Sequence, residues 1–246
     1  MKPYPSAQPR VVSREEWLDA RRALLVKEKD VTRLRDAVSA ERRRLPMVRV
    51  DKDYVFEGPH GALRLIDMFE GRRQLYIHHF MWVDAADSGC PGCTQTADLN
   101  FTDINRAQLE ERDVTLACIS RAPFKKIDAY RRHRGWSFPW YSSHGNDFNY
   151  DFHVTLDESR VPIKYNYRSK QELRAMGFPD EMLRGDVPAN SVFLRDEQTV
   201  YHTYSAFTRG LDHLFTPFNF LDLTPYGRQQ DWEDSPEGWP QQPTRS

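Results

Sequence analysis

The tetrapeptide Cys90-Pro91-Gly92-Cys93 constrains this chain more than any other feature. It follows an apolar run, Leu75 to Trp82, and a polar loop, Asp84 to Gly89, and it leads into helical composition from Thr94 to Arg112. Strand, loop, cysteine pair and helix in that order is a restrictive pattern. Residues three apart on a helix share one face, and a first helical turn can bring two Cβ atoms to the ~4 Å that a disulfide requires. Proline at 91 suits the first helical position, where a missing N–H costs nothing. A helix N-terminus offers free N–H groups and partial positive charge, both of which favour thiolate over thiol at Cys90. The thiolate is the attacking species in disulfide exchange, so Cys90 is the expected nucleophile and Cys93 the resolving thiol.

The same two residues can be read as half of a zinc site, which needs two further Cys or His ligands. The chain has only three cysteines, too few for a disulfide framework. The third, Cys118, falls in VTLACIS, which reads as a buried strand, and a small core role suits it. His78 and His79 are adjacent, so one must point away from the other across a strand. No second CxxC and no HxxxH occurs. The favoured reading is a redox pair with no metal and no cofactor. The alternative is a non-enzymatic metal- or ligand-binding module on the same fold.

Around the motif the chain alternates strand and helix. After Leu75 to Trp82 and the cysteine helix come the strand Val114 to Ser120 and a helix from Phe124 to Arg134, closed by Gly135. Ser191 to Arg195 and Thr199 to Tyr204 read as a hairpin, and a helix is expected near Arg209 to Phe215. Parallel units followed by a hairpin imply an α/β fold with a mixed central sheet and helices on both faces. Residues 1–12 read as a flexible arm, 13–45 as one long helix, 46–224 as the domain and 225–246 as a disordered tail. Ser13 with Glu16 makes a capping box at the helix start. Trp17, Leu24, Val31, Val38 and Leu45 recur every seven residues, and this stripe either lies on the chain's own domain or forms a homodimer arm.

Net charge is −1, which gives no basic field for nucleic acid. No apolar run is long enough to cross a membrane, and the N-terminus lacks the apolar core of a secretory signal. No membrane partner is expected, and a cytoplasmic location follows. The partner expected is a disulfide or dithiol substrate, protein or small molecule.

Several residues are candidates for the surroundings of the pair: Pro91 and Gly92 within it; His78, His79, Asp84 and Asp87 before it, one of which could act as proton acceptor, although a hydrogen-bonded strand role suits each histidine; and Arg121, with Lys125, as a cation beside a thiolate. Trp140 belongs to an aromatic-rich stretch, Gly135 to Phe152, that reads either as a ligand groove or as a loop-borne satellite core. Ser142 to Asp147 holds Ser, His and Asp, but a turn built from Ser, Gly, Asn and Asp explains it.

LYIHHFMWVDAADSGCPGCTQTAD, ISRAPFKKIDAYRRHRGWSFPWYSSHGNDFNYDF and VFLRDEQTVYHTYSAFTRGLDHLFTPFNFLDLTPYGR resemble a bacterial thioredoxin-like family, domain-of-unknown-function family 899, whose members are labelled predicted dithiol-disulfide oxidoreductases. The resemblance covers about residues 10 to 228. It implies a thioredoxin-like three-layer fold with Cys90 and Cys93 in the motif positions. General thioredoxins carry a tryptophan before the first cysteine, where this chain has Gly89, and Gly-Pro where it has Pro91-Gly92. They place a cis-proline directly before the strand facing the motif. Here Asn190 and Ser191 are expected at that boundary, with Pro188 two or three residues early, which weakens the case for docking protein disulfides. Peroxiredoxins place a threonine three residues before their reactive cysteine; here Asp87 stands there, which argues against peroxidase chemistry.

Overall fold

The structure, a computed structural model, describes residues 8–242. Residues 1–7 of the expected arm and 243–246 of the expected tail lie outside the described residues. The chain forms two compact units, Met1–Leu45 with Thr216–Ser246, and Pro46–Phe215. The second unit therefore closes at Phe215, whereas the sequence carried the domain on to 224.

The first unit begins with α1 (Arg14–Arg42). Ser13 caps it: the Glu16 N–H donates to Ser13 Oγ at 3.2 Å, and the Ser13 N–H donates to Glu16 Oε2 at 3.1 Å. Such a cap contributes about 1 kcal/mol. The helix stops at its cap, Arg43, ahead of Pro46, which cannot continue it. Trp17, Leu24, Val31 and Val38 stand exposed along it, and the Arg14 guanidinium lies 4.6 Å over the Trp17 ring.

The second unit starts with β1 (Val48–Arg49), β2 (Val55–Gly58) and β3 (Gly61–Arg64), then a 3-10 turn, Leu65–Phe69. β4 (Gln74–His79) leads through the paired dipeptides β5 (Trp82–Val83) and β6 (Ser88–Gly89) into α2 (Pro91–Asn100) and α3 (Asp103–Glu110). β7 (Val114–Ser120), α4 (Phe124–Arg134) and β8 (Trp140–Ser142) follow. Next comes an excursion of short elements: α5 (Phe148–Asp151), β9 (Thr155–Leu156), β10 (Lys164–Tyr165), β11 (Arg168–Ser169), α6 (Lys170–Ala175) and β12 (Gly185–Asp186). The hairpin β13 (Ala189–Asp196) and β14 (Thr199–Phe207) closes the sheet.

Eight strands form one mixed sheet in the order β1-β14-β13-β4-β7-β8-β2-β3. β4, β7 and β8 are mutually parallel, and β13 runs antiparallel to β4. A β–α–β unit with a hairpin added on the far side of its first strand is the thioredoxin-like arrangement. Side chains alternate across β4. Leu75 and Ile77 enter a core with Met68, Phe69, Phe148 and Phe193. Tyr76 and Phe80 face the other core, which holds Cys93, Ala97, Cys118, Ile127, Phe138 and Trp140. Helices α2 and α4 cover that second face, whereas the 3-10 turn and the single-turn α5 cover the first.

The first unit resumes after Phe215 with α7 (Thr216–Leu221). The segment expected to be disordered carries local order through Gln242. Arg228 forks onto the Asp222 carboxylate at 2.6 and 2.7 Å, and Trp239 Nε1 donates to the Pro225 carbonyl at 2.7 Å. A composition of Gln, Pro and Asp conceals contacts of this kind, which are polar and local. No helix among the described residues is long and apolar enough to cross a membrane.

Candidate active site

The cysteine pair sits where its sequence context placed it. Cys90 is the N-cap residue of α2 and Pro91 its first helical residue. The Cys90 N–H donates to the Met81 carbonyl at 3.0 Å, which ties the motif to the end of β4. The Thr94 N–H donates to the Cys90 carbonyl at 2.9 Å and closes the first turn. Cys90 is half-buried, while Cys93 is only 3% exposed.

The two sulfurs are electrostatically unequal. The Cys93 thiol, bonding to the Cys90 sulfur, brings the Cys90 pKa down to about 6; the backbone N–H groups of Cys93 and Gly92 add to this and burial opposes it. The same hydrogen bond between the two free thiols, then burial, then the Cys90 charge push Cys93 well above the ordinary thiol range. From the sequence, the helix terminus is the expected source of this stabilisation. Its N–H groups do contribute, but the second thiol contributes most. One accessible thiolate stabilised by one buried thiol is the ground state that sequential exchange requires.

Gly89 is small because the space around it is filled. A Cβ there would lie 2.9 Å from Phe80 Cε1 and 3.1 Å from Tyr130 Cε1. Gly89→Ala is expected to lower stability by about 1–3 kcal/mol through overpacking, measured as a lower urea midpoint with unchanged slope. Unchanged stability would mean that Phe80 and Tyr130 yield freely. The same crowding excludes a tryptophan at this position.

Of the two adjacent histidines, the expected neighbour was His79, and the structure corrects this. His79 points into the opposite core, stacked 5.7 Å from Phe148, with Nε2 2.8 Å from Ser191 Oγ. Burial, then the nearby His78 and His202, lower its pKa to about 3. His78 faces the cysteine side, edge-on to Phe80 and to Phe101 at the end of α2. Its Nδ1 donates to Asn190 Oδ1 at 2.6 Å, and burial brings its pKa to about 4 against that bond. Both rings are therefore neutral near pH 7. The period of two shows that the pair splits, but it does not say which ring faces which core.

The other candidates separate in the same way. Asn190 lies beside β4 on the cysteine side, through His78. β13 begins at Ala189, so Pro188 directly precedes it and the expected offset of two or three residues is corrected; no peptide bond among the described residues is cis. Asp87 pairs with Lys126 at 2.5 Å, and that bond holds its carboxyl below the usual range. Asp84 approaches Arg121 at 3.6 Å. Arg121 meets carboxylates rather than a sulfur: its Nε donates to Asp186 Oδ1 at 2.9 Å. Trp140 is buried under α2 and α4, with Nε1 donating to Ser120 Oγ at 3.0 Å. The aromatic stretch is neither one groove nor one satellite core. Trp136, Phe138 and Trp140 pack on the cysteine side, while Tyr141, Phe148 and Phe152 pack on the other.

Tyr130, which the sequence did not single out, joins the two helices of this face. Its hydroxyl lies 3.0 Å from Thr94 Oγ1, and its ring meets Trp82 edge-on at 5.7 Å. Its place at mid-α4, one residue after Ala129, gave no separate signal. Among the described residues no group of three or more His, Cys, Asp or Glu side chains is placed to hold a metal ion.

The family model described as "Bacterial protein of unknown function (DUF899)" matches residues 6–243. No curated protein matches the sequence. Among solved structures, a cysteine-to-serine variant of Xanthomonas campestris peroxiredoxin Q aligns with a TM-score of 0.44 and 13% identity, covering 72% of this chain and 97% of that one. A variant of Xylella fastidiosa PrxQ aligns with a TM-score of 0.40 and 15% identity, covering 68% and 88%. A thiol:disulfide interchange protein, DsbE, described as putative, from Chlorobium tepidum aligns with a TM-score of 0.37 and 13% identity, covering 70% and 97%.

Proposed function

The chain belongs to this bacterial family of unknown function, and from that premise we propose that it is a thiol-disulfide oxidoreductase acting through Cys90 and Cys93. The observation that carries the reading is the inequality of the two sulfurs: a half-exposed Cys90 with a pKa near 6 beside a buried Cys93 whose thiol is held protonated.

The chemistry balances within the pair. The Cys90 thiolate attacks one sulfur of a substrate disulfide; that bond breaks, a mixed disulfide forms, and the departing thiolate takes a proton. Cys93 gives up its proton and attacks the Cys90 sulfur. The second substrate thiol leaves, and the enzyme retains an intramolecular disulfide. Two electrons pass to the substrate, and an external dithiol restores the pair. Run backwards, the sequence oxidises a dithiol. Stabilising the Cys90 thiolate stabilises the reduced form and so makes the pair more oxidising.

Trapping tests this reading. Cys93→Ser leaves the attack intact and removes the resolving thiol, so mass mapping is expected to find a stable mixed disulfide at Cys90. In the native chain a redox titration is expected to convert Cys90 and Cys93 to a disulfide. A pair that stays reduced even at about −90 mV, above the roughly −120 mV of the most oxidising dithiol proteins, overturns the reading.

A further inference from the structure

We propose that the cleft beside Arg121 is the substrate-binding site and that it takes a small disulfide carrying both ammonium and carboxylate groups, built from an amino acid or short peptide. This deepens the redox reading and rests on it.

The three parallel strands β4, β7 and β8 end at His79, Ser120 and Ser142. The loops that follow them carry Cys90, Arg121 and His144 respectively. In open α/β sheets, ligands bind outside the carboxyl ends of parallel strands. Arg121 lines two cavities there, of about 490 and 210 Å³. The larger falls within the range of small-molecule sites, about 300–1,000 Å³. Arg121 also approaches Asp84, in the loop leading to Cys90, at 3.6 Å, which links the cleft to the segment that carries the motif.

Charge selects the ligand class. The larger cavity presents three cations, Arg121, Lys170 and Arg184, and three carboxylates, Asp157, Glu158 and Asp180. Its remaining lining includes buried Leu156, Ile163 and Leu183. A polyanion would meet three carboxylates, and an uncharged apolar ligand would strip water from six charges without replacing it. A ligand that carries both ammonium and carboxylate groups on an aliphatic body matches both signs and the apolar lining. Several groups are already anchored: Lys170 to Glu158 at 2.5 Å, and Asp180 to Arg174 at 2.6 and 2.8 Å. The Asp186 carboxylate holds Arg121 Nε and also accepts from Thr155 Oγ1 at 2.6 Å, so Arg121 is fixed before a ligand arrives. The Arg184 side chain makes no hydrogen bond or salt bridge among the described residues and acts on the Asp180 carboxylate only electrostatically, so its guanidinium can still take a ligand carboxylate.

The test separates the cleft from the chemistry. In a Cys90→Ser/Cys93→Ser chain, calorimetry with oxidised glutathione reads binding alone. Binding is expected, and Arg184→Gln with Lys170→Gln is expected to weaken it at least tenfold, the order of one lost charged contact. In the redox-active chain, the ratio of kcat/KM for oxidised glutathione to that for bis(2-hydroxyethyl) disulfide is expected to fall at least tenfold with the same two substitutions, mostly through KM. No binding by the double-serine chain, or binding and selectivity indifferent to Arg184 and Lys170, overturns the cleft. Charge-dependent binding in a chain whose native form reduces neither disulfide overturns the redox reading and leaves the cleft standing.

Discussion

Cys90→Ser is expected to abolish disulfide exchange, and alkylation of the native Cys90 to reach half its maximal rate near pH 6. The attacking atom is removed in the first case, so turnover should fall to the uncatalysed level while the fold remains. In the second, the sign follows from the lowered pKa. Below pH 6 Cys90 is a thiol and reacts slowly; above it the thiolate predominates and the rate levels off. At pH 7 a group titrating near 6 is roughly nine-tenths ionised, against about one part in a hundred for one titrating at 9.0. A lower pKa also weakens the nucleophile, so the gain in rate is smaller than the gain in thiolate. Cys93→Ala, which leaves no side-chain donor, should move the midpoint upward, because the Cys93 thiol is the largest cause of the shift. Iodoacetamide labelling followed by mass spectrometry measures each curve. A midpoint at pH 8 or above, or one unmoved by Cys93→Ala, would contradict the assignment of the stabilising hydrogen bond.

Trp140→Ala is expected to cost about 3–5 kcal/mol of stability. The indole is 2% exposed and fills the space between the sheet and the two helices of the cysteine face. Its ring lies 4.5 Å from Phe80 and 5.8 Å from Trp136, centroid to centroid. Alanine removes most of that contact and leaves a cavity among large rings that cannot all move inward. Because Phe80 and Tyr130 crowd Gly89, just before the motif, the loss should also loosen the seat of Cys90. Urea unfolding measures the first effect, and faster labelling of Cys93 by iodoacetamide the second. A loss under about 1 kcal/mol would show that the aromatic cluster collapses around the gap.

What the sequence made legible follows from how strongly each element signals locally. VTLACIS reads as a strand because six of its seven positions are buried, and Phe124–Arg134 ends where Gly135 adopts a left-handed conformation. The motif was legible because Pro91 and the flanking apolar run agree on one helix start. β8 was not: three residues between Pro139 and Ser143 are too few for a period, and their strand character comes from pairing with Cys118, Ile119 and Ser120. The stretch Thr94 to Arg112 has helical composition throughout, which does not show the break at Phe101, where Thr102 caps a second helix by accepting from the Asn105 N–H. The excursion from α5 to β12 carries no periodic pattern, so the cleft it builds against Arg121 was invisible except through Arg121 itself.

The adjacent histidines of β4 each reach across to β13, one on either face: His78 to Asn190 and His79 to Ser191. Both bonds join residues 112 positions apart. They act as a two-sided key for strand registration. A slip by a single residue would present His78 to the other core and leave both imidazoles and the Asn190 amide without these partners in dry surroundings, while Ser191 would keep only Ser205. Apolar residues alone would tolerate several alignments of these strands, whereas two paired polar contacts admit one. Closing so long a stretch of chain is entropically costly and slow. Arrival of the β13–β14 hairpin is therefore the event at which correct alignment is checked, and it is checked by side-chain chemistry on both faces at once.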